Sequence, residues 1–288
     1  MYAASFDYHR PRSVAEATKL LGSLKDAKVL AGGHSLLPAM KLRVSAPAAL
    51  VDIGGIKELV GIKAAGNTLQ IGALTTHAAI AASDVVRKGC PILAEAAGHI
   101  GDIQVRNRGT LGGSLAHGDP ASDEPTVILL LGAKLTAVGP SGQREIPAEN
   151  FFVDLFTTDL RQGELLTSIA VPTYGAGTGG AYLKHRHPAS NYAVVGVAAL
   201  VELKDGKCAR VGLTVGGVTA KPARARAAEQ ALTGQAPDQA GIARAAERVA
   251  EALKDPLSDL YASGEYRIHL ATVMARRALA TAAEKARR

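Results

Sequence analysis

Two Gly-Gly-hydroxyl clusters constrain this chain more than anything else in it. The first is Gly32-Gly33-His34-Ser35-Leu36, directly after Lys28-Val29-Leu30-Ala31, which reads as a short buried strand. The second is Thr110-Leu111-Gly112-Gly113-Ser114, inside the polar stretch His99 to Pro125. Glycine lacks Cβ and reaches φ > 0, so successive backbone N–H groups can converge on one anion. A tight glycine turn at a strand end offers the same donors. Thr110, Ser114 and Ser35 add hydroxyl donors, and Arg106 and Arg108 are expected to make the approach cationic. From composition alone a long surface loop rich in turn residues is an open alternative for His99 to Pro125. Two such clusters in one chain suit a ligand with two phosphates held between two lobes, and a dinucleotide is the natural candidate.

Around the clusters the chain divides into three parts. Residues 1–55 alternate strand and helix: an extended start at Phe6 to Pro11, a helix over Val14 to Leu24 capped by Ser13 with Glu16 in its first turn, the Lys28 to Ala31 strand, a short helix at Pro38 to Lys41, and a strand at Pro47 to Asp52. Residues 56–177 open with Leu59 to Ile62 and Thr68 to Ile71 as strands paired around Gly66-Asn67. A helix from His77 to Ala82, one beginning at Pro91, another over Pro120 to Leu131, and strands at Lys134 to Val138 and Leu165 to Val171 complete that part. Residues 178–288 carry strands at Ala193 to Leu203 and Ala209 to Val215 hinged at Asp205-Gly206, then helices at Pro222 to Leu232, Asp238 to Leu253 and Gly264 to Lys285. Gly175 to Gly180 matches G-x-G-x-x-G literally, but strand-like Ala181-Tyr182-Leu183-Lys184 follows where a dinucleotide fingerprint would open a helix, so it reads as a linker.

The clusters carry a resemblance. AGGHSLLPAMKLR and IQVRNRGTLGGSLAHGDPASD, in this order and spacing, resemble the FAD-binding medium subunit of the molybdenum hydroxylases, which include aerobic carbon monoxide dehydrogenase and xanthine dehydrogenase. Later segments, FFVDLFTTDLRQGELLTSIAVP, AYLKHRHPASNYAVVGVAA and GEYRIHLATVMARRAL, extend the likeness over essentially the whole chain. The resemblance implies an α+β fold, a two-lobed PCMH-type FAD-binding domain (lobes 1–55 and 56–177) plus a C-terminal domain of antiparallel sheet with helices (178–288). It implies FAD in this chain, with molybdopterin and [2Fe-2S] clusters in partner subunits only. It also implies a small iron–sulfur subunit and a large molybdopterin subunit, assembled as a heterohexamer, with electrons passing from the clusters through FAD to a terminal acceptor. Carried over by position, Ala31, Gly32, Gly33, His34, Ser35 and Leu36 line the first pyrophosphate loop, and Thr110, Leu111, Gly112, Gly113, Ser114 and His117 the second. Ser114 stands where many relatives have Asn. Ser122 and Asp123 are expected at the ribityl or ribose hydroxyls. Leu166, Lys184 and Tyr192 are expected near the isoalloxazine, with Tyr192 on a ring face. The GGS-x-AH-x-DPA-x-D pattern leans toward the carbon monoxide dehydrogenase branch.

Composition narrows the alternatives. At 288 residues with 47% apolar content the chain can bury a sizeable core. Its net charge of +7 is spread along the sequence without aromatic interleaving, which argues against a nucleic-acid surface. The only two cysteines, Cys90 and Cys208, are too few for a cluster or structural zinc. With no apolar leader-like run at Met1 to Ser13 and no membrane-length apolar run, a cytoplasmic location is expected. His185 and His187 lack a second ligand pair, and His77, His99 and His269 fall on helical stretches and read as packing or surface residues. No nucleophile–base set stands out, so the chemistry is left to a cofactor that the protein binds and orients. A free-standing FAD-dependent oxidoreductase of the same superfamily is the alternative, and a redox-inactive nucleotide-binding protein a further one.

Overall fold

A computed structural model describes residues 2–288. The first unit is a three-stranded parallel sheet in the order Asp7–His9, Ala49–Asp52, Ala27–Leu30. The helix Val14–Ser23 packs against it, and the Ser13 hydroxyl accepts from Glu16 N as the cap pattern predicts. The strand expected over Lys28 to Ala31 ends at Leu30, and the chain then turns through Gly33 at φ 77° into the helix Leu36–Lys41.

The second unit is a five-stranded antiparallel sheet ordered Ile62–Ala65, Thr68–Gly72, Leu165–Pro172, Lys134–Gly139, Gly142–Pro147. The expected strand at Leu59 to Ile62 is displaced: Lys57–Leu59 forms a 3₁₀ turn and pairing starts at Ile62. Gly66, at φ 58°, makes the turn that fixes this register. A helix at Asp84–Gly89, absent from the sequence reading, is capped by the Ser83 hydroxyl.

The polar stretch His99 to Pro125 is not one long loop. Asp102 caps a helix at Ile103–Arg108, and Thr110 caps another at Leu111–His117. The next helix begins at Asp123 rather than Pro120, and every residue of Asp123–Leu131 is buried. One side of that helix meets the second unit's core, and the other meets the third unit's sheet at Ala198 and Leu200.

The third unit is a four-stranded antiparallel sheet ordered Thr178–Arg186, Ala193–Lys204, Lys207–Gly216, Ala223–Arg224. Its long hairpin turns at Asp205 and Gly206, both at positive φ, the backbone a tight two-residue turn needs. Helices Arg226–Leu232, Gln239–Glu247 and Gly264–Ala286 cover one face. The last helix buries mainly alanines (Ala271, Ala275, Ala278, Ala282, Ala283) with Met274 and Leu279, so its apolar stripe serves packing within the chain. The G-x-G-x-x-G segment has no helix after it. A Cβ at Gly179 would strike the terminal helix's backbone, 2.9 Å from Lys285 C, so this glycine exists for close strand–helix contact. Among the described residues no helix is long and apolar enough to cross a membrane.

Candidate functional site

All three units contribute to one cavity of about 930 Å³. Of the residues expected at the site, Ala31, Gly32, Gly33, His34, Ser35, Leu36, Thr110, Gly112, Gly113, Ser114, His117, Ser122, Asp123, Leu166 and Tyr192 line it. Leu111 and Lys184 do not. The Leu111 side chain is fully buried in the second core, and its N–H donates to Thr75 O at 3.0 Å. Arg106 and Arg108 also stay out of the wall; Arg106 instead donates to Ile100 O at 2.9 Å.

The first glycine cluster behaves as the residue types predict. Among the described residues, the N–H groups of Gly33, His34, Ser35 and Leu36 have no protein acceptor. Four consecutive free amides at a turn into a helix form an anion-binding concavity. The His34 ring folds back, its Nδ1 3.1 Å from Gly32 O.

The second cluster is built differently from the open nest expected of it. Gly112 N donates to Ala73 O at 2.8 Å, Gly113 N to Thr110 Oγ1 at 3.1 Å, and Ser114 N to Thr110 O at 2.9 Å. These amides are spent on a helix start, which leaves the Thr110 N–H and the Ser114 hydroxyl without a partner among the described residues. The glycines are required by packing. A Cβ on Gly112 would lie 2.5 Å from the Ala73 Cβ, and one on Gly113 would lie 2.7 Å from Thr110 Oγ1. Gly32 joins the two clusters, because its missing Cβ would fall 2.8 Å from Gly109 Cα and collide with the Arg108 carbonyl. The two loops are therefore in direct backbone contact.

Behind the cavity wall lies a buried polar network. Asp123 Oδ1 accepts from the Tyr182 hydroxyl at 2.6 Å, and Oδ2 from Lys184 Nζ at 2.8 Å. Lys184 Nζ also donates to His99 O at 3.1 Å, and the Lys184 side chain is 1% exposed. Burial pushes the Asp123 carboxyl up and the Lys184 ammonium down, each opposed by the charge of the other. Burial, followed by the nearby Asp123 carboxylate, raises the Tyr182 hydroxyl far above its ordinary value. Lys184 thus holds Asp123 in place and does not present its own amine to a ligand.

The C-terminal unit is tied to this wall by Ala193 N to Ala121 O (3.1 Å), Gly217 N to Pro120 O (2.8 Å) and Thr214 Oγ1 to Thr126 O (2.8 Å). Those bonds bring Tyr192, 40% exposed, to the cavity, where its side chain faces Ser35. His117 packs on Phe156 with ring centroids 5.1 Å apart, and burial lowers its imidazole below 6.5. Sequence reasoning missed Lys28, Phe156 and His77, which also line the cavity. Lys28 sits next to the first cluster and was legible only as a strand residue. Phe156 and His77 carry no local signal, since their neighbours across the cavity are remote in sequence.

The cavity has room for a dinucleotide: its size is at the upper end of small-ligand sites, and residues with free amides and hydroxyls line it. Comparison with known proteins agrees. The FAD binding domain in molybdopterin dehydrogenase matches residues 4–174, and the CO dehydrogenase flavoprotein C-terminal domain matches residues 180–282. The carbon monoxide dehydrogenase medium chain of Afipia carboxidovorans is 40% identical over 100% of both chains. A xanthine dehydrogenase FAD-binding subunit of Escherichia coli O157:H7 is 30% identical over 96% of this chain and 95% of its own. Among solved structures, carbon monoxide dehydrogenase from Hydrogenophaga pseudoflava lacking the Mo-pyranopterin moiety superposes with a TM-score of 0.96 at 42% identity, covering 99% of each chain. The chain belongs to the FAD-binding medium subunits of the molybdenum hydroxylases, the family of carbon monoxide dehydrogenase and xanthine dehydrogenase.

Proposed function

We propose that this chain is the electron-relay subunit of a three-component oxidoreductase. It takes electrons from [2Fe-2S] clusters of a small partner subunit and delivers them to a terminal acceptor, while substrate is oxidised at molybdopterin in a large partner subunit. Two copies of each subunit form a heterohexamer in the cytoplasm. The observation that carries the reading is the single cavity shared by both glycine clusters and the Tyr192 loop, with four free amides at one end. The division into lobes 1–55 and 56–177 and a C-terminal domain 178–288 belongs to the same reading.

Bound FAD supplies the one- and two-electron redox chemistry that no side chain here offers. The protein's part is to hold and orient it. The amides of Gly33 to Leu36 and the Ser35 hydroxyl receive one phosphate, and the Thr110 N–H and Ser114 hydroxyl the other. Gly32 keeps the two loops close enough to share one pyrophosphate, and Gly112 and Gly113 seat the second loop on Ala73 and Thr110. Ser122 and the outward edge of Asp123 serve the ribityl or ribose hydroxyls, with Asp123 fixed by Tyr182 and Lys184. Leu166 supplies an apolar wall and Tyr192 covers a ring face from the rim. The isolated chain then binds FAD and is reduced by artificial donors, but turns over no substrate alone. The test is anaerobic bleaching of the flavin's visible absorbance with candidate substrates. Bleaching only after the two partner subunits are added supports the relay. Rapid bleaching of the chain alone makes it a free-standing oxidoreductase.

A further inference from the structure

The glycine loops rest on a buried histidine–glutamate pair that the reading above does not use. Glu124 is fully buried; its Oε1 lies 2.9 Å from His77 Nδ1, and its Oε2 has no partner among the described residues. Nδ1 is the ring nitrogen that meets Glu124, so Nε2 is left at the opposite edge of the ring. Among the described residues Nε2 has no hydrogen-bond partner, yet it is not one of the sealed polar atoms that lack one. The 6% of the His77 side chain that stays accessible opens on the cavity.

The ring's position is fixed from three sides. His77 N donates to Gly109 O at 3.1 Å, and a Cβ on Gly109 would strike ring atoms Cδ2 and Nε2 at 2.7 Å. Gly109 in turn abuts Gly32. Glu124, His77, Gly109 and Gly32 thus form a continuous stack that ends where the two glycine loops meet.

The geometry points to His77 as a further cofactor contact. Its Nε2 donates to the pyrophosphate of the dinucleotide, and Glu124 is the positioning residue that holds Nδ1 and so the ring plane. This rests on the assignment of the glycine loops to the pyrophosphate.

The test uses the full chain as apoprotein titrated with FAD. In His77→Asn the side-chain amide takes the place of Nδ1, so Glu124 keeps a donor while the reach to the cavity is lost. The expected result is an unchanged urea midpoint and an FAD Kd raised roughly ten- to a hundredfold, the loss of one charge-assisted hydrogen bond. In wild-type protein labelled with ¹⁵N-histidine, FAD should shift the His77 Nε2 resonance, the mark of a new hydrogen bond at that nitrogen. A purely structural histidine would not move. Wild-type affinity in His77→Asn together with lost affinity in Gly32→Ala overturns the role of His77 and leaves the glycine-loop site standing. Wild-type affinity in both overturns that site as well. Should the Asn variant fail to fold, the wild-type resonance decides: an Nε2 signal, assigned by its contacts with Gly109, that ignores saturating FAD overturns the proposal.

Discussion

Replacing Gly32 by alanine drives a wedge between the two glycine loops. The new Cβ would sit 2.8 Å from both Arg108 C and Gly109 Cα, and closer still to the Arg108 carbonyl oxygen. Carbon atoms pack at about 3.5–4.0 Å, so one loop must retreat by about 0.7–1.2 Å. All the opposing atoms are backbone, so no side-chain rotation relieves the contact. The cost to the folded apoprotein is that of overpacking, about 1–3 kcal/mol. The cost to binding is larger, because one ligand must touch both loops. A shift of about 1 Å takes a hydrogen bond of about 2.9 Å beyond useful length. Losing two such bonds to a phosphate, each worth about 1.5–3 kcal/mol, weakens FAD by at least about a hundredfold.

The assay pairs urea unfolding of the apoprotein with FAD titration followed by flavin fluorescence. Gly98→Ala is the control, since a Cβ there meets nothing within 4 Å at the end of the helix Pro91–Gly98. That variant should bind FAD normally and gain up to about 1 kcal/mol of stability. Wild-type FAD affinity in Gly32→Ala would refute the claim that the two loops share one ligand.

Asp123→Ala leaves the Lys184 ammonium buried without its carboxylate and should destabilise the apoprotein by about 3–5 kcal/mol in urea unfolding; a loss below about 1 kcal/mol would show that the pair does not hold the wall together. Thr110→Val removes the acceptor for Gly113 N and should cost about 0.5–2 kcal/mol, with equal urea midpoints for variant and wild type counting against the cap. Burial lowers both His99 and His117 below 6.5, so the unfolded chain takes up protons at a higher pH than the native one. Stability should be fully present above about pH 6.5 and fall as pH drops through the depressed native values. Urea midpoints at descending pH measure this, and His117→Gln should flatten the slope; a slope unchanged in that variant assigns the acid loss elsewhere.

How much of this was legible in the sequence depended on whether the cause was local. Ser13 with Glu16, Gly66-Asn67 and Asp205-Gly206 each set their own backbone, and each cap or turn formed where the residues indicate. The stretch from His99 to Pro125 was illegible for the opposite reason. Its two helices are six and seven residues long, and the second contains Gly112 and Gly113, so intrinsic propensity argues against it. It exists because Thr75 O, Ala73 O and the Thr110 hydroxyl accept its first amides and because glycine lets it lie flat on Ala73. The helix expected over Pro120 to Leu131 forms, but its start at Asp123 had no local mark: all its faces are buried, and the partners of Asp123 lie on a distant strand.

Both glycine clusters line the cavity, but only partly for the reason their composition suggests. At Gly33 the backbone needs positive φ, and the amides that follow are free, which is the anion logic. At Gly112 the amide is occupied and the residue buried, so its lack of Cβ serves contact with Ala73. Gly32 does both: it lines the cavity and presses on Gly109. A residue pattern cannot separate these demands, because close packing and anion approach select the same amino acid. The structure separates them by asking of each glycine whether its N–H is free and what its missing Cβ would strike. By that criterion the first cluster is the donor-rich half of the site, and the second is the packed half that holds the first in place.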